Sequence, residues 1–217
     1  MAVDAPDSAG SGSQVIARIA PPVEALAVVE ALLATDGSLA QLNAQAQLVI
    51  DHIDLMQREI DGGTFPELRR HADHVANLVE GASGEHFGDL DGDGVSQNPG
   101  DDIGVLAHLD GVSAAVLSLP QDTDEQVFYT TIWLDAIEII RGHAVVVVDQ
   151  ALRVNATDSP AEAQPFVAGA FASGVSMLDG ADADGNGVIE MFSGEFGIRS
   201  LDERAPTLVV AQMFSEG

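Results

Sequence analysis

Apolar residues along this chain recur every three to four positions, and the stretches between them carry proline, glycine or a capping residue. That spacing places the apolar side chains on one face of a helix. A first segment, about 22–35, aligns Val23, Leu26, Val29 and Leu33; a second, about 38–60, aligns Leu42, Val49, Ile53, Met56 and Ile60. A third runs from about 65 to 81 on Leu68, Ala72, Val75 and Leu78, and a fourth from Ile103 to Leu119. A long fifth segment starts near Asp124, passes Phe128, Ile132, Ile139 and Val147, and ends near Asn155. A sixth covers about 160–179 and a seventh about 201–214.

Start and stop residues agree with these limits. Ser38 with Gln41, Thr64 with Glu67, and Ser159 with Glu162 match the S/T-x-x-E/Q box that satisfies free N–H groups at a helix start. Pro160 suits a first helical position, while Gly62-Gly63, Gly81, Pro120 and Gly180 supply stops. The weak point is Val145–Val148, four β-branched residues that favour a strand and invite a break in the fifth helix. The pattern predicts an all-α fold, a bundle of six to seven helices. It also reads as two similar halves, 21–120 and 121–217, each of the form helix, helix, acidic loop, helix. Val75-x-x-Leu78 before the first loop matches Val175-x-x-Leu178 before the second.

The two acidic loops carry the clearest chemistry. Asp89-Leu90-Asp91-Gly92-Asp93-Gly94-Val95 and Asp182-Ala183-Asp184-Gly185-Asn186-Gly187-Val188 set oxygen-bearing side chains at alternate positions, then a glycine, then a backbone carbonyl. Calcium takes six to eight oxygens, and such a run curls them about one point while the glycine makes the turn. The expected ligands are Asp89, Asp91, Asp93 and the Val95 carbonyl, closed by Asp101 or Asp102. In the second loop they are Asp182, Asp184, Asn186, the Val188 carbonyl and Glu190, with Glu195 as a late alternative. The loops span 89–102 and 182–195.

Both loops resemble the calcium loops of EF-hands and, more closely, of dockerins, whose G-D-x-[ND]-G-D-G-x pattern the run from Gly88 to Val95 follows. The likeness covers about a dozen residues per loop. At the twelfth position, where an EF-hand carries Glu and a dockerin Asp, this chain has Gly100 and Ser193. The loops lie much further apart than a dockerin's, so cohesin binding does not follow. Residues 71–81, HADHVANLVEG, with the acidic loop and Asn98-Pro99-Gly100-Asp101-Asp102 behind them, resemble an uncharacterised group of exported bacterial helical proteins, a likeness that implies no activity.

Six histidines form the second candidate chemistry. Counting outward from a turn near Gly62-Gly63 sets His52 level with His74, and Met56 near Arg70 and His71. His71 and His74 share one helix side, and His143 falls on the apolar side of the fifth helix. Imidazoles on the inner faces of a bundle could hold zinc, copper or haem. The plainer account is core histidines bonded to Asp51, Asp73 or backbone, and the expectation is that at most two of His52, His71 and His74 come close.

Composition narrows the partners. Thirty-five acidic residues against eight arginines and no lysine give a net charge of -27, which excludes nucleic acid and anionic membrane as partners. No apolar run is long enough for a membrane span, and the absence of cysteine excludes disulfides and thiol catalysis. Residues 1–20 lack the basic start and apolar core of a signal peptide and read as a flexible leader. No G-x-S-x-G, H-E-x-x-H or paired carboxylate scaffold assembles, so no enzymatic activity is expected.

The main expectation is a non-enzymatic protein with two calcium ions, working outside the cytoplasm, extracellular or periplasmic, where calcium is abundant. Its role would be structural, adhesive or in assembly, with further copies of itself or a cell-surface partner. The alternative is a redox or metal-carrier bundle that binds haem or a transition metal through His52, His71, His74 or His143.

Overall fold

The computed structural model describes residues 23–34, 36–190 and 194–212. Among these every regular element is helical: α1 Val23–Leu33, α2 Ser38–Gly62, α3 Phe65–Glu80, α4 Val105–Leu117, α5 Asp124–Asn155, α6 Pro160–Asp179, α7 Ile198–Arg204 and α8 Pro206–Gln212. The leader, residues 1–20, lies outside the described residues, as do the last two positions of the expected seventh helix.

Four long helices form the core in cyclic order. α2 packs on α3 and α6, and α5 packs on the same two from the other side. The α2–α3 pair and the α5–α6 pair therefore pack side by side around one apolar centre. α4 covers α2, α3 and α5; α7 covers α2 and α6; α1 and α8 close the remaining side. Leu42, Val49, Ile53, Met56, Leu68, Val75, Trp133, Ile137, Ile140, Val147 and Met177 are all fully buried. Small residues let helices approach closely: at Gly174 of α6 a β-carbon would press on the Cδ1 atoms of Ile50 and Ile53 of α2, both 2.9 Å away.

The valine run does not break α5. Helical periodicity sends Val147 and Val148 into the core and leaves Val145 and Val146 outside. A β-branched residue costs a helix up to about 0.7 kcal/mol, whereas burying each inner valine contributes about 1.5–3 kcal/mol. Burial wins.

Three local expectations are corrected. Ser38 does not cap α2: Gly37 holds the N-cap position without a side-chain bond, and Ser38 is already helical. Position 37 suits glycine, because a β-carbon there would overlap the carbonyl oxygen of Ala31. α4 starts at Val105 rather than Ile103, because Asp101 and Gly104 form the turn ahead of it. The expected last helix is two, divided at Pro206, which supplies no N–H to continue α7. The Thr64 and Ser159 hydroxyls do cap α3 and α6, accepting from the N–H groups of Glu67 and Glu162. The fully reciprocal box is at α5, where Thr123 and Gln126 satisfy each other's backbone. No described helix is long and apolar enough to cross a membrane.

Candidate metal centres

Three clusters bring metal-ligating atoms within 4.8 Å of one another: His52 with His71 and His74, Asp89 with Asp91 and Asp93, and Asp182 with Asp184 and Glu195.

The histidine cluster forms where α2 and α3 run side by side beyond their Gly62-Gly63 turn. His71 and His74 are one helical turn apart on α3, and His52 of α2 sits against both. Its ring centroid is 5.4 Å from that of His71 and 4.9 Å from that of His74. The Nδ1 atoms of His52 and His71 are 3.2 Å apart. All three imidazoles thus converge, which corrects the expectation that at most two would. The partners expected of core histidines, Asp51 and Asp73, are engaged elsewhere: Asp51 accepts from Gln47 and Asp73 from Leu90 and Asn77.

His74 is 8% exposed and is the most enclosed of the three. Its Nε2 lies 3.0 Å from Gln97 Oε1, while its Nδ1 is buried with no hydrogen-bond partner. Burial, reinforced by His74 and His71, lowers the His52 pKa to about 4. Burial also lowers those of His71 and His74, so the triad is neutral at physiological pH. Neutral imidazole is the form that coordinates a metal. Two nitrogens bound tetrahedrally to zinc at about 2.05 Å are about 3.4 Å apart, close to the His52–His71 spacing. A haem fits less well, because it needs a flat slot between its axial ligands. Here His71 and His74 lie on the same helix with His52 packed against both.

The first acidic loop is held against α3 by Asn77 and Asp73. Asn77, fully buried, places its amide nitrogen 2.9 Å from the Gly88 carbonyl, 3.0 Å from that of Gln97 and 3.1 Å from Asp73 Oδ2. Its amide oxygen accepts from the N–H of Gly88, and its backbone carbonyl accepts from the side chain of Asn98. Asp73 accepts from the N–H of Leu90. Burial pushes the Asp73 carboxyl up to about 6, opposed by that bond and reinforced by the charges of Asp91, Asp89 and Asp93.

Within the loop, Asp89 accepts from the N–H groups of Gly92 and Gly94, Asp91 from that of Asp93, and Asp93 from that of Val95. The second loop repeats this wiring. Asp182 accepts from Gly185 and Gly187, Asp184 from Asn186, and Asn186 from Val188. The paired glycines take positive φ in both loops, 81° and 90° at Gly92 and Gly94, 75° and 84° at Gly185 and Gly187. The same nested turns thus point the side-chain oxygens of both loops inward.

The loops differ in how they close. Asp101 turns away from the Asp89 cluster: its carboxylate accepts from Gln45 and from the N–H of Ile103, and lies 2.6 Å from His108 Nε2. Asp102 has a φ of 65°, and its carbonyl accepts from Ala82. Neither carboxylate joins Asp89, Asp91 and Asp93. In the second loop the buried Glu195 joins Asp182 and Asp184; its oxygens also accept from Ala183, Asp184 and Glu190. Glu190, the expected ligand, contributes this backbone N–H, and its carboxylate is not part of the cluster. Val95 and Val188 stand at the seventh loop positions with exposed side chains.

The remaining histidines stand apart from all three clusters. His143 is half-buried on α5, and burial lowers its pKa. His86 binds Glu80, and His108 binds Asp101. Sequence reasoning passed over Gln97 and Asn77; the only signal was the polar pair Asp73 and Asn77, four residues apart on α3. No family model, no curated protein and no solved structure matches this chain, so the chemistry of the three clusters rests on their own geometry.

Proposed function

We propose that this protein is a metal-binding helical bundle whose working site is the His52–His71–His74 cluster, charged with a transition-metal ion of the zinc and copper class. The observation that carries this reading is the convergence of three neutral imidazoles, one of them presenting a buried Nδ1 without a partner. Imidazole suits these ions far better than calcium or magnesium. His52 and His71 are only partly buried, which gives the ion a way in and out and favours a carrier over a sealed structural site. In this reading the role is non-enzymatic.

The acidic loops are read as calcium braces. Their support is the shared hydrogen-bond wiring, which gathers carboxylates that repel one another without a cation. Each brace ties the end of one helix to the start of the next, α3 to α4 and α6 to α7. Duplication of one helix–helix–loop–helix unit explains why both braces are built alike. Calcium use favours a location outside the cytoplasm.

The test is titration of chelator-treated protein with zinc, followed by calorimetry and thermal melting. One zinc per chain is expected, lost in His52→Ala and in His71→Ala. At about one hundred times its dissociation constant, a bound ion adds about 2.7 kcal/mol of stability. Zinc uptake that persists unchanged in both variants would place the ion elsewhere and remove this function.

A further inference from the structure

We infer that Gln97, delivered by the first acidic loop, is the residue that positions His74 for its metal ion. The inference rests on the triad reading above and adds a residue that no ligand pattern contains. A metal-binding imidazole commonly donates its second N–H to a fixed acceptor, which sets the tautomer and the ring orientation. Gln97 Oε1 is 3.0 Å from His74 Nε2 and accepts the proton there. The tautomer so fixed carries its lone pair on Nδ1, the buried atom that has no partner within the protein. Donation at one nitrogen and vacancy at the other are two halves of one arrangement.

Gln97 is itself held in place. Its carbonyl lies 3.0 Å from the Asn77 amide nitrogen, and the neighbouring Asn98 side chain donates to the Asn77 carbonyl at 2.8 Å. Asn77 is one turn beyond His74 on the same helix. The helix that carries the ligand therefore also carries the clamp that sets the ligand's acceptor. The side chain of Gln97 lies at the surface, so it acts as an outer cover on a buried imidazole.

Cobalt(II), whose visible bands report its coordination, is the probe for the test, added to the full-length chain. Substitutions in the outer shell of a metal site typically reduce affinity by about 10- to 100-fold. Gln97→Ala should weaken cobalt binding by that factor, while the metal-free variant melts at the wild-type temperature. Gln97→Glu keeps an acceptor at the same reach and should restore binding. Metal-free wild type should also show a downfield Nε2–H proton resonance from His74 that disappears in Gln97→Ala. If Gln97→Ala binds cobalt as wild type does, or if Gln97→Glu binds no better than the alanine variant, the positioning role is wrong and the triad stands. If wild type binds no cobalt, the triad reading itself fails, and this inference with it.

Discussion

His52 and His71 face each other through their Nδ1 atoms at 3.2 Å, across the α2–α3 seam. At that distance one proton is shared between two nitrogens, or one ion replaces it with little movement of either ring. In the proposed site the pair would share an ion with His74, so the three should act as a unit. His52→Ala, His71→Ala and His74→Ala should each reduce zinc affinity by about 100-fold or more, the outer-shell penalty being only about 10- to 100-fold. Calcium binding by the same variants should be unchanged. Calorimetry with each metal in turn checks both statements; a single variant that keeps wild-type zinc affinity would reduce the site to two histidines.

How much of this was legible follows from which contacts are set by counting. The level pairing of His52 and His74 follows from counting out from Gly62-Gly63, and the helix limits of α5 and α6 follow from caps and periodicity. The approach of His71 to His52 does not, because one residue of slip rotates a side chain by about 100°. The choice of Glu195 over Glu190 is likewise invisible to a fixed ligand spacing. It depends on a backbone closure, the N–H of Ala181 donating to the Glu195 carbonyl at 3.0 Å, which carries that residue back over the loop. The placing of Asp101 outside the first cluster is invisible for a similar reason. Its partners, Gln45 and His108, come from two other helices, and no loop pattern reveals them.

The acidic loops should each bind one calcium ion, in the weak range of roughly 10⁻⁴ to 10⁻³ M seen for extracellular modules. Asp91→Ala removes a ligand from the first loop and Asp184→Ala one from the second, so each variant should lose one of two sites by calorimetric counting. Glu195→Gln should weaken the second site while leaving the first intact. Two full sites remaining in both aspartate variants would show that the loops are only acidic turns.

Both loops are closed by glycines whose backbones leave no room for a side chain. Gly81 has a φ of 70°, and a β-carbon there would overlap the Ile103 carbonyl; Gly180 has a φ of 91° and would overlap that of Glu195. Backbone strain of this kind costs about 1–3 kcal/mol, and the overlap adds to it. Gly81→Ala and Gly180→Ala should therefore each destabilise the fold by at least about 2 kcal/mol in denaturant unfolding. Gly62→Ala is the control, since its β-carbon meets nothing within 4 Å. It should be neutral or slightly stabilising, and equal effects at all three positions would contradict the closure.

His86 supplies a pH test away from every cluster. Its hydrogen bond with Glu80, with Nδ1 2.8 Å from Oε1, raises its pKa above the usual 6.5; burial opposes the shift, and the charges of Glu80 and Glu85 add to it. A raised folded-state value means that the pair's contribution is complete below about 6.5, the unfolded-state value, and is lost as pH rises through the higher one. The side chain is largely exposed, so the effect on stability should be small and the titration itself is the better measure. An NMR titration should find His86 with a higher midpoint than His52, His71 and His74 in the metal-free protein. In Glu80→Gln that midpoint should fall back toward 6.5. A midpoint unmoved by the substitution would mean that the carboxylate does not hold this imidazole.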